Sequence, residues 1–428
     1  MTHPDEVPRL GGKVLFALFA FALAARLAVV LFTGFTTVRF GDARAYLQAA
    51  ETIAREGRYP ARTDVFFFRP PGYPAFLAIA TLGRPGDIPR AKLATAAVGS
   101  LCAPFLAALS ARIFRRRRIA TATGIVAALH PAFLVVASDV QSEPLFLALL
   151  LGAGILLLVA SDRPSTTLAV GAGGLLALAA LTRSSALVLA PFLCAPLFDA
   201  RYPRRVRAHI AAAALVGFLF LLAPWTLRNA LVFGEFLPVN DAAGNAFYQG
   251  NSDWTVRFYR VRTRDQYLAW MKAFDEDMQR RTLELDRTGR GSPGQRSRAF
   301  AEQAVRERRS DPAGWAKLFL QKAWDWLRPY PNPLFWPPGA VAAAAAYNVL
   351  LYGLAALGFA AAPRRGVRAF ALAFLAVTSL SHVVLIVVWR YRIPYWDPVL
   401  LLYGVFGAGG TLLPAWTRWR ESRKRPAG

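Results

Sequence analysis

Two cysteines and four histidines in 428 residues are too few for a disulfide scaffold or a zinc centre built from thiolates and imidazoles. Cys102 and Cys194 both fall inside apolar runs, so no disulfide is expected between them. His3, His130, His209 and His382 lack metal-ligand spacing. Charge is scarce too, at 18% of residues, against ~25% for an ordinary globular protein. Negative charge is the scarcer sign, with 26 acidic against 51 basic residues and a net charge of +25. There is no GxxxxGK[ST] and no GxGxxG between a strand and a helix. A nucleotide-driven pump and a nucleotide-sugar Rossmann enzyme are therefore not indicated. No repeat of ~20–50 residues is visible.

Apolar residues are abundant. They make up 55% of the chain, and long apolar runs recur from Lys13 to Trp416. This excludes a secreted scaffold, a disordered tail protein and a simple cytosolic enzyme. The basic excess lies in short clusters between the apolar runs, as membrane orientation requires, so no nucleic-acid partner is expected. The expected fold is an all-α polytopic membrane protein of ten spans, at 13–33, 90–113, 119–137, 144–160, 166–181, 185–200, 208–227, 340–361, 368–388 and 394–414. The first run reads as a retained span and not as a signal peptide. The fifth and sixth are short for spanning and read as tilted partners or a re-entrant pair.

With the N-terminus inside, the inner segments hold 20 Lys and Arg, and the short outer loops hold three: Arg183, Arg390 and Arg392. That imbalance predicts an N-in, C-in topology. Two long segments then lie outside. The expected divisions are a membrane module at 1–227 with its first outer loop at 34–89, an outer-face, mostly helical domain at 228–339, further membrane helices at 340–414, and a basic cytoplasmic tail at 415–428. In the outer domain, Asp265–Glu284 and Ser297–Arg309 read as helices, and Arg287–Arg296 as a mobile loop. Asp311–Pro312 caps a helix through Trp326 that lies at the membrane interface.

The first outer loop holds the chemistry. It opens with an amphipathic helix that carries Ala45, Leu47, Ala50 and Ile53 and stops at Gly57. Asp42 stands at its start, where it is either a helix cap or a functional carboxylate at the membrane surface. Phe66–Pro74 follows, stiffened by Pro70, Pro71 and Pro74 with Gly72 between. It reads either as a structural re-entry turn or as a groove for a lipid chain, with Arg69 placed to meet a phosphate. Residues 74–82 are too few to span.

Asp42, Tyr46, Ala50, Gly57, Tyr59 and Phe68-Arg69-Pro70-Pro71-Gly72-Tyr73-Pro74 resemble the first periplasmic loop of bacterial glycosyltransferase family 39/83-like proteins. These are protein-mannosyltransferase-like integral membrane enzymes with the GT-C fold. Ser142-Glu143-Pro144, Leu181-Thr182-Arg183, Trp225-Thr226-Leu227-Arg228-Asn229 with Phe233-Gly234, Gly244-Asn245, Gly250-Asn251 and Arg390-Tyr391-Arg392-Ile393-Pro394 extend the resemblance over roughly residues 40–400. It implies a transferase in the bacterial cytoplasmic membrane with its active site on the outer face. The donor would be a sugar on a polyprenyl phosphate, such as undecaprenyl or decaprenyl phosphate, and the acceptor an envelope glycan, glycolipid or protein. Asp42 inherits the role of general base. The eukaryotic branch often has Asp-Glu here, whereas Ala43 leaves one carboxylate. Lipid A-modifying members have Glu-Lys-Pro where this chain has Arg69-Pro70-Pro71.

The residue chemistry fits that role. A direct displacement needs a base for the acceptor hydroxyl and positive charge for the departing phosphate, and it inverts the anomeric centre. Arg44, Arg69, Arg183, Arg390 and Arg392 are the candidate phosphate ligands, although snorkelling at a span end also accounts for the last two. Glu143 and Asp139 are candidates for a second acid that orients the acceptor or a metal. Glu143 alternatively just opens a helix. Tyr46, Pro70, Pro71, Gly72, Tyr73 and Pro74 shape the loop. If a metal is used, oxygen ligands and Mg²⁺ or Mn²⁺ are expected. A flippase or transporter, or a non-catalytic envelope scaffold, is the competing class.

Overall fold

The computed structural model describes residues 8, 10–39, 41–60, 69–84, 86–362, 365–414 and 417. The expected tail at 415–428 and Phe66–Phe68 of the proline-rich strip lie outside the described residues, Thr417 excepted. The described elements are helical throughout. In order they are α1 Gly12–Thr33, α2 Asp42–Glu56, α3 Gly72–Ala80, α4 Ile88–Ser100, α5 Cys102–Phe114, α6 Arg117–Ala128, α7 Pro131–Ala137, α8 Glu143–Asp162 and α9 Thr166–Thr182. A 3-10 helix, Ser184–Phe198, leads to α10 Arg204–Phe233. Then come α11 Ala242–Asn251, α12 Asp253–Phe258, α13 Arg264–Arg287, α14 Pro293–Arg309 and α15 Pro312–Leu327. The chain closes with α16 Pro338–Ala361, α17 Arg365–Val384, a 3-10 turn Trp389–Arg392 and α18 Trp396–Gly407.

Among the described residues six helices are long and apolar enough to cross a membrane, or seven if α6 and α7, bent by 50°, form one span. One of the six is formed by α4 and α5 together, Ile88–Phe114. Large apolar side chains such as Phe16, Phe32, Phe198 and Phe220 point outward, where lipid solvates them at no cost. The chain is a multi-pass membrane protein.

Two packed cores flank α8. Leu147 and Leu151 join a cluster with residues of α5, α6, α16 and α18. Phe146, Ala153 and Leu157 join another with α9, the 3-10 segment and α10. The N-terminus of α8 therefore opens at the junction of the two. Small residues let α9 and α10 touch backbone to backbone, since a side chain on Gly173 would overlap the Ala214 carbonyl. Arg26 is buried in α1 and donates to the Ala22 carbonyl (2.9 Å) and the Cys102 sulfur (3.0 Å), both cysteines being free thiols.

The insert between α10 and α16 is helical, with its own small core of Tyr248, Met278, Phe300 and Ala304. The loop expected at Arg287–Arg296 is shorter than that. Ser292 and Gln295 form a capping box, so α14 already starts at Pro293. Asp311 caps α15 by accepting from the Gly314 N–H at 2.8 Å, and Leu320 and Trp324 on that helix are exposed.

Gly173→Leu should cost ~1–3 kcal/mol through overpacking. The expected readout is a lower melting temperature for the detergent-solubilised protein, and an unchanged melt would contradict the close approach.

Candidate active site

Asp42 is the first residue of α2. The cap position belongs to Gly41, and no side-chain bond caps this helix. The capping role expected of Asp42 is thus not what its carboxylate does. It pairs instead with Arg69, whose Nη2 lies 2.8 Å from Oδ1, and with Arg390 through Oδ2. Gly57 ends the helix in the left-handed conformation at φ +64°, as its position predicted.

Arg69 reaches Asp42 because the chain around it is stiff. Its carbonyl accepts from the Tyr59 hydroxyl at 2.9 Å, and Pro71 caps α3. Pro74 falls in the first turn of α3, where no N–H is needed. Gly72 sits against the Leu181 carbonyl and the Thr182 hydroxyl, and a Cβ there would come within 2.9 Å of that carbonyl. The proline-rich strip thereby docks on the end of α9, next to Arg183. Tyr73 is buried, meets Tyr46 edge-on at 5.0 Å and shares a 2.7 Å hydrogen bond with Thr95.

Glu143 opens α8, and Arg183 follows the last residue of α9. An acid at a helix N-terminus and a base at a C-terminus both suit the helix dipole. Because α8 and α9 are antiparallel neighbours, these ends meet. Arg183 Nη1 lies 3.0 Å from Glu143 Oε1 and 3.0 Å from Ser142 Oγ. Ser142 in turn is 3.2 Å from the Tyr46 hydroxyl. Arg390 completes the ring, with Nε 3.2 Å from Glu143 Oε1 and Nη1 donating to Gln141 Oε1 at 2.8 Å. Glu143 is 1% exposed, and neither oxygen has an aligned hydrogen bond, so its contacts with the two guanidinium groups are ionic in character.

The structure thus brings together Asp42, Arg69, Glu143, Arg183 and Arg390: two carboxylates under three guanidinium groups. Tyr391 lies beneath this cluster, with Arg183 4.8 Å and Arg390 5.7 Å from its ring centre. Burial raises the Tyr391 phenol, but Arg390, Arg183 and Arg69 together more than offset this and hold it below its ordinary value.

Other candidates lie elsewhere. Arg44 is exposed on α2 and makes none of the cluster's contacts among the described residues. Arg392 turns inward, with Nη1 2.9 Å from the Arg328 carbonyl and 2.6 Å from the Tyr352 hydroxyl, and Nε 3.6 Å from Asp397. It braces the fold and does not face the cluster. Asp139 is also structural in its contacts. It accepts from its neighbour's N–H at Val140 (2.7 Å) and from the Arg39 N–H (2.9 Å), fixing the segment that leads to Asp42. Sequence reasoning missed Gln141 and quoted Ser142 and Tyr391 only within motifs, without a role in the site.

The cluster does not suit a divalent cation. Both carboxylates already face guanidinium groups, and no metal-type group of three His, Cys, Asp or Glu occurs among the described residues.

Residues 69–227 match the family described as dolichyl-phosphate-mannose-protein mannosyltransferase. Asp42 and Arg390 lie outside that stretch. Two structures of the Archaeoglobus fulgidus oligosaccharyltransferase are similar in fold. One, in complex with an inhibitory peptide and a dolichol-phosphate, has a TM-score of 0.55 at 13% identity over 97% of this chain and 52% of its own. The other, with zinc and sulfate, has a TM-score of 0.57 at 14% identity over 95% and 50%. The chain has the GT-C fold. It spans about half the length of that oligosaccharyltransferase and is protein-mannosyltransferase-like over the matched residues. ArnT from Cupriavidus metallidurans overlaps more loosely, at a TM-score of 0.41 and 16% identity over 92% of this chain and 77% of its own. No curated protein matches the chain in sequence.

Breaking the buried Glu143–Arg183 pair from one side should be costly. Glu143→Ala leaves Arg183 and Arg390 without that carboxylate and should cost ~3 kcal/mol. Glu143→Ala with Arg183→Ala should recover part of the loss, and additive losses in the melting temperature would show that the pair is not coupled.

Proposed function

We propose that this protein is an inverting glycosyltransferase that moves a sugar from a polyprenyl-phosphate donor to an envelope acceptor. In this reading it works on the outer face of a bacterial cytoplasmic membrane, with N- and C-termini inside. The observation that carries the reading is the Asp42–Arg390–Glu143 arrangement with Arg69 and Arg183 beside it: a carboxylate held next to a surplus of guanidinium charge.

The acceptor hydroxyl attacks the anomeric carbon. The bond from that carbon to the phosphate oxygen breaks, and the electron pair leaves with polyprenyl phosphate. Asp42 takes the hydroxyl proton. Arg69 and Arg390 suit the departing phosphate because the planar guanidinium fork matches its oxygens and stays charged in a poorly hydrated site. As the phosphate draws these two arginines, the Asp42 carboxylate loses its counter-charges and becomes a better base. Pairing before donor arrives keeps the carboxylate occupied, and pairing after arrival stabilises the leaving group. Glu143 stays behind with Arg183 and orients the site. The buried Tyr46 and Tyr73 and the half-buried Tyr391 limit hydration around the cluster.

The test is release of polyprenyl phosphate from a panel of polyprenyl-phosphate sugars by the lipid-reconstituted protein with an envelope acceptor fraction. Wild type should release it and Asp42→Asn should be slower by at least ~10²-fold, the lower range for losing a general base. Equal rates would move the base elsewhere, and a product with retained anomeric configuration would rule out direct displacement. Excess EDTA should leave the rate within about two-fold, because guanidinium groups supply the charge a divalent ion would bring. A chelator-sensitive rate restored by Mg²⁺ would contradict this.

A further inference from the structure

Arg390 reaches Asp42 on a short segment, 385–392, that follows the end of α17 and belongs to no long helix. What holds that segment is therefore what places the guanidinium. The last carbonyls of a helix have no partner within it. At the end of α17 the Val384 and Leu385 carbonyls are met by side chains from the insert. Asn251 Nδ2 donates to them at 2.9 and 3.2 Å. Lys322 Nζ donates to the same two carbonyls at 3.2 Å each, and to Asn251 Oδ1 at 3.1 Å.

Lys322 is 1% exposed, and no acidic side chain pairs with it among the described residues. An ammonium has three N–H groups, and here they find three acceptors. A cation at a helix C-terminus also complements the dipole. Burial pushes the amine down to about 7, while the three acceptors favour its charged form. Gly250 adds the contact behind, where a side chain would overlap the Leu385 carbonyl. Beyond Arg390 the segment is gripped again by the same helix, as Arg392 donates to the carbonyls of Trp326 (3.4 Å) and Arg328 (2.9 Å) at the end of α15. A methionine in place of Lys322 would fill similar space but leave the two carbonyls to Asn251.

We propose that Lys322 is a positioning residue for Arg390: through the Val384 and Leu385 carbonyls it fixes segment 385–392 so that the Arg390 guanidinium stands between Asp42 and Glu143. The proposal rests on the transferase reading for what Arg390 does, and only on geometry for where the segment sits.

The experiment uses the full chain in lipid nanodiscs, comparing wild type with Lys322→Met and, as a milder variant, Lys322→Gln. Amide hydrogen exchange of the peptide covering 385–392 should speed up at least ten-fold in Lys322→Met and less in Lys322→Gln. Transfer should lose at least ten-fold in kcat with donor KM changed less than two-fold. In an Arg390→Lys background, Lys322→Met should cost little more than Arg390→Lys alone, because the two changes act on one contact. Exchange unchanged at 385–392, or faster only within 242–327, overturns the proposal, as does a full additive loss in the double variant. Faster exchange at 385–392 in a protein whose wild type transfers no sugar upholds the positioning and removes the transferase reading instead.

Discussion

The arrangement around Arg390 organises this molecule, because one guanidinium group serves two carboxylates that arrive from different parts of the chain. Asp42 comes from the start of α2, Glu143 from the start of α8, and Arg390 from the segment after α17. Each carboxylate would be expensive to hold in a poorly hydrated junction by itself. Arg69 and Arg183 supply the remaining counter-charge, and both are delivered by chain ends that stiff or short-range contacts have already fixed. The two helical cores meet at this point, so a shift in either core would move at least one member of the cluster.

Much of this was legible in the sequence, and what was not has simple geometric causes. Apolar run lengths and basic clusters locate the helices well, since lipid solvation depends on composition over a whole span. Asp42, Arg69, Glu143 and Arg183 stand out as charges beside apolar runs or in stiff turns, and all four meet. Arg44 and Arg392 read as phosphate ligands because they are outer-face arginines, yet each sits two positions from a member of the cluster. In an α-helix two positions turn the side chain ~200° away, and in a 3-10 turn ~240°. Arg44 therefore faces solvent while Asp42 faces the cluster, and Arg392 faces α15 while Arg390 faces Asp42. Gln141 escapes notice, and Ser142 stands out only within its motif, because neutral polar residues carry no composition signal. Their roles appear only once the α7–α8 turn is folded under Arg390 and Arg183.

The glycine-asparagine pairs show a related limit. Gly244 rests against Ser297 and donates its backbone N–H to the Ser297 Oγ (3.0 Å), while Asn251 spans from α11 to the end of α17. Both pairs join helices far apart in sequence, so their purpose cannot be read from neighbours. The tryptophan of Trp225-Thr226-Leu227-Arg228-Asn229 behaves likewise. It donates to the Val239 carbonyl at 2.8 Å, and Asn229 donates to the carbonyls of Leu237 and Val239. The exit of α10 is thereby folded back onto itself, which starts the insert in a fixed direction.

Winding, finally, changes how far a given number of residues reaches. Ser184–Phe198 has only 15 residues, and counted at the α-helical rise it looks too short for a bilayer. It is wound as a 3-10 helix, with Pro191 and Pro196 inside it removing donors that an α-helix would need. At a rise of ~2.0 Å per residue the same 15 residues extend ~30 Å, the thickness of a bilayer's hydrocarbon core. The thinner, longer coil also occupies less width beside α9 and α10. A segment that reads as short for spanning at the α-helical rise thus has the reach of a span, with Arg183 at its head.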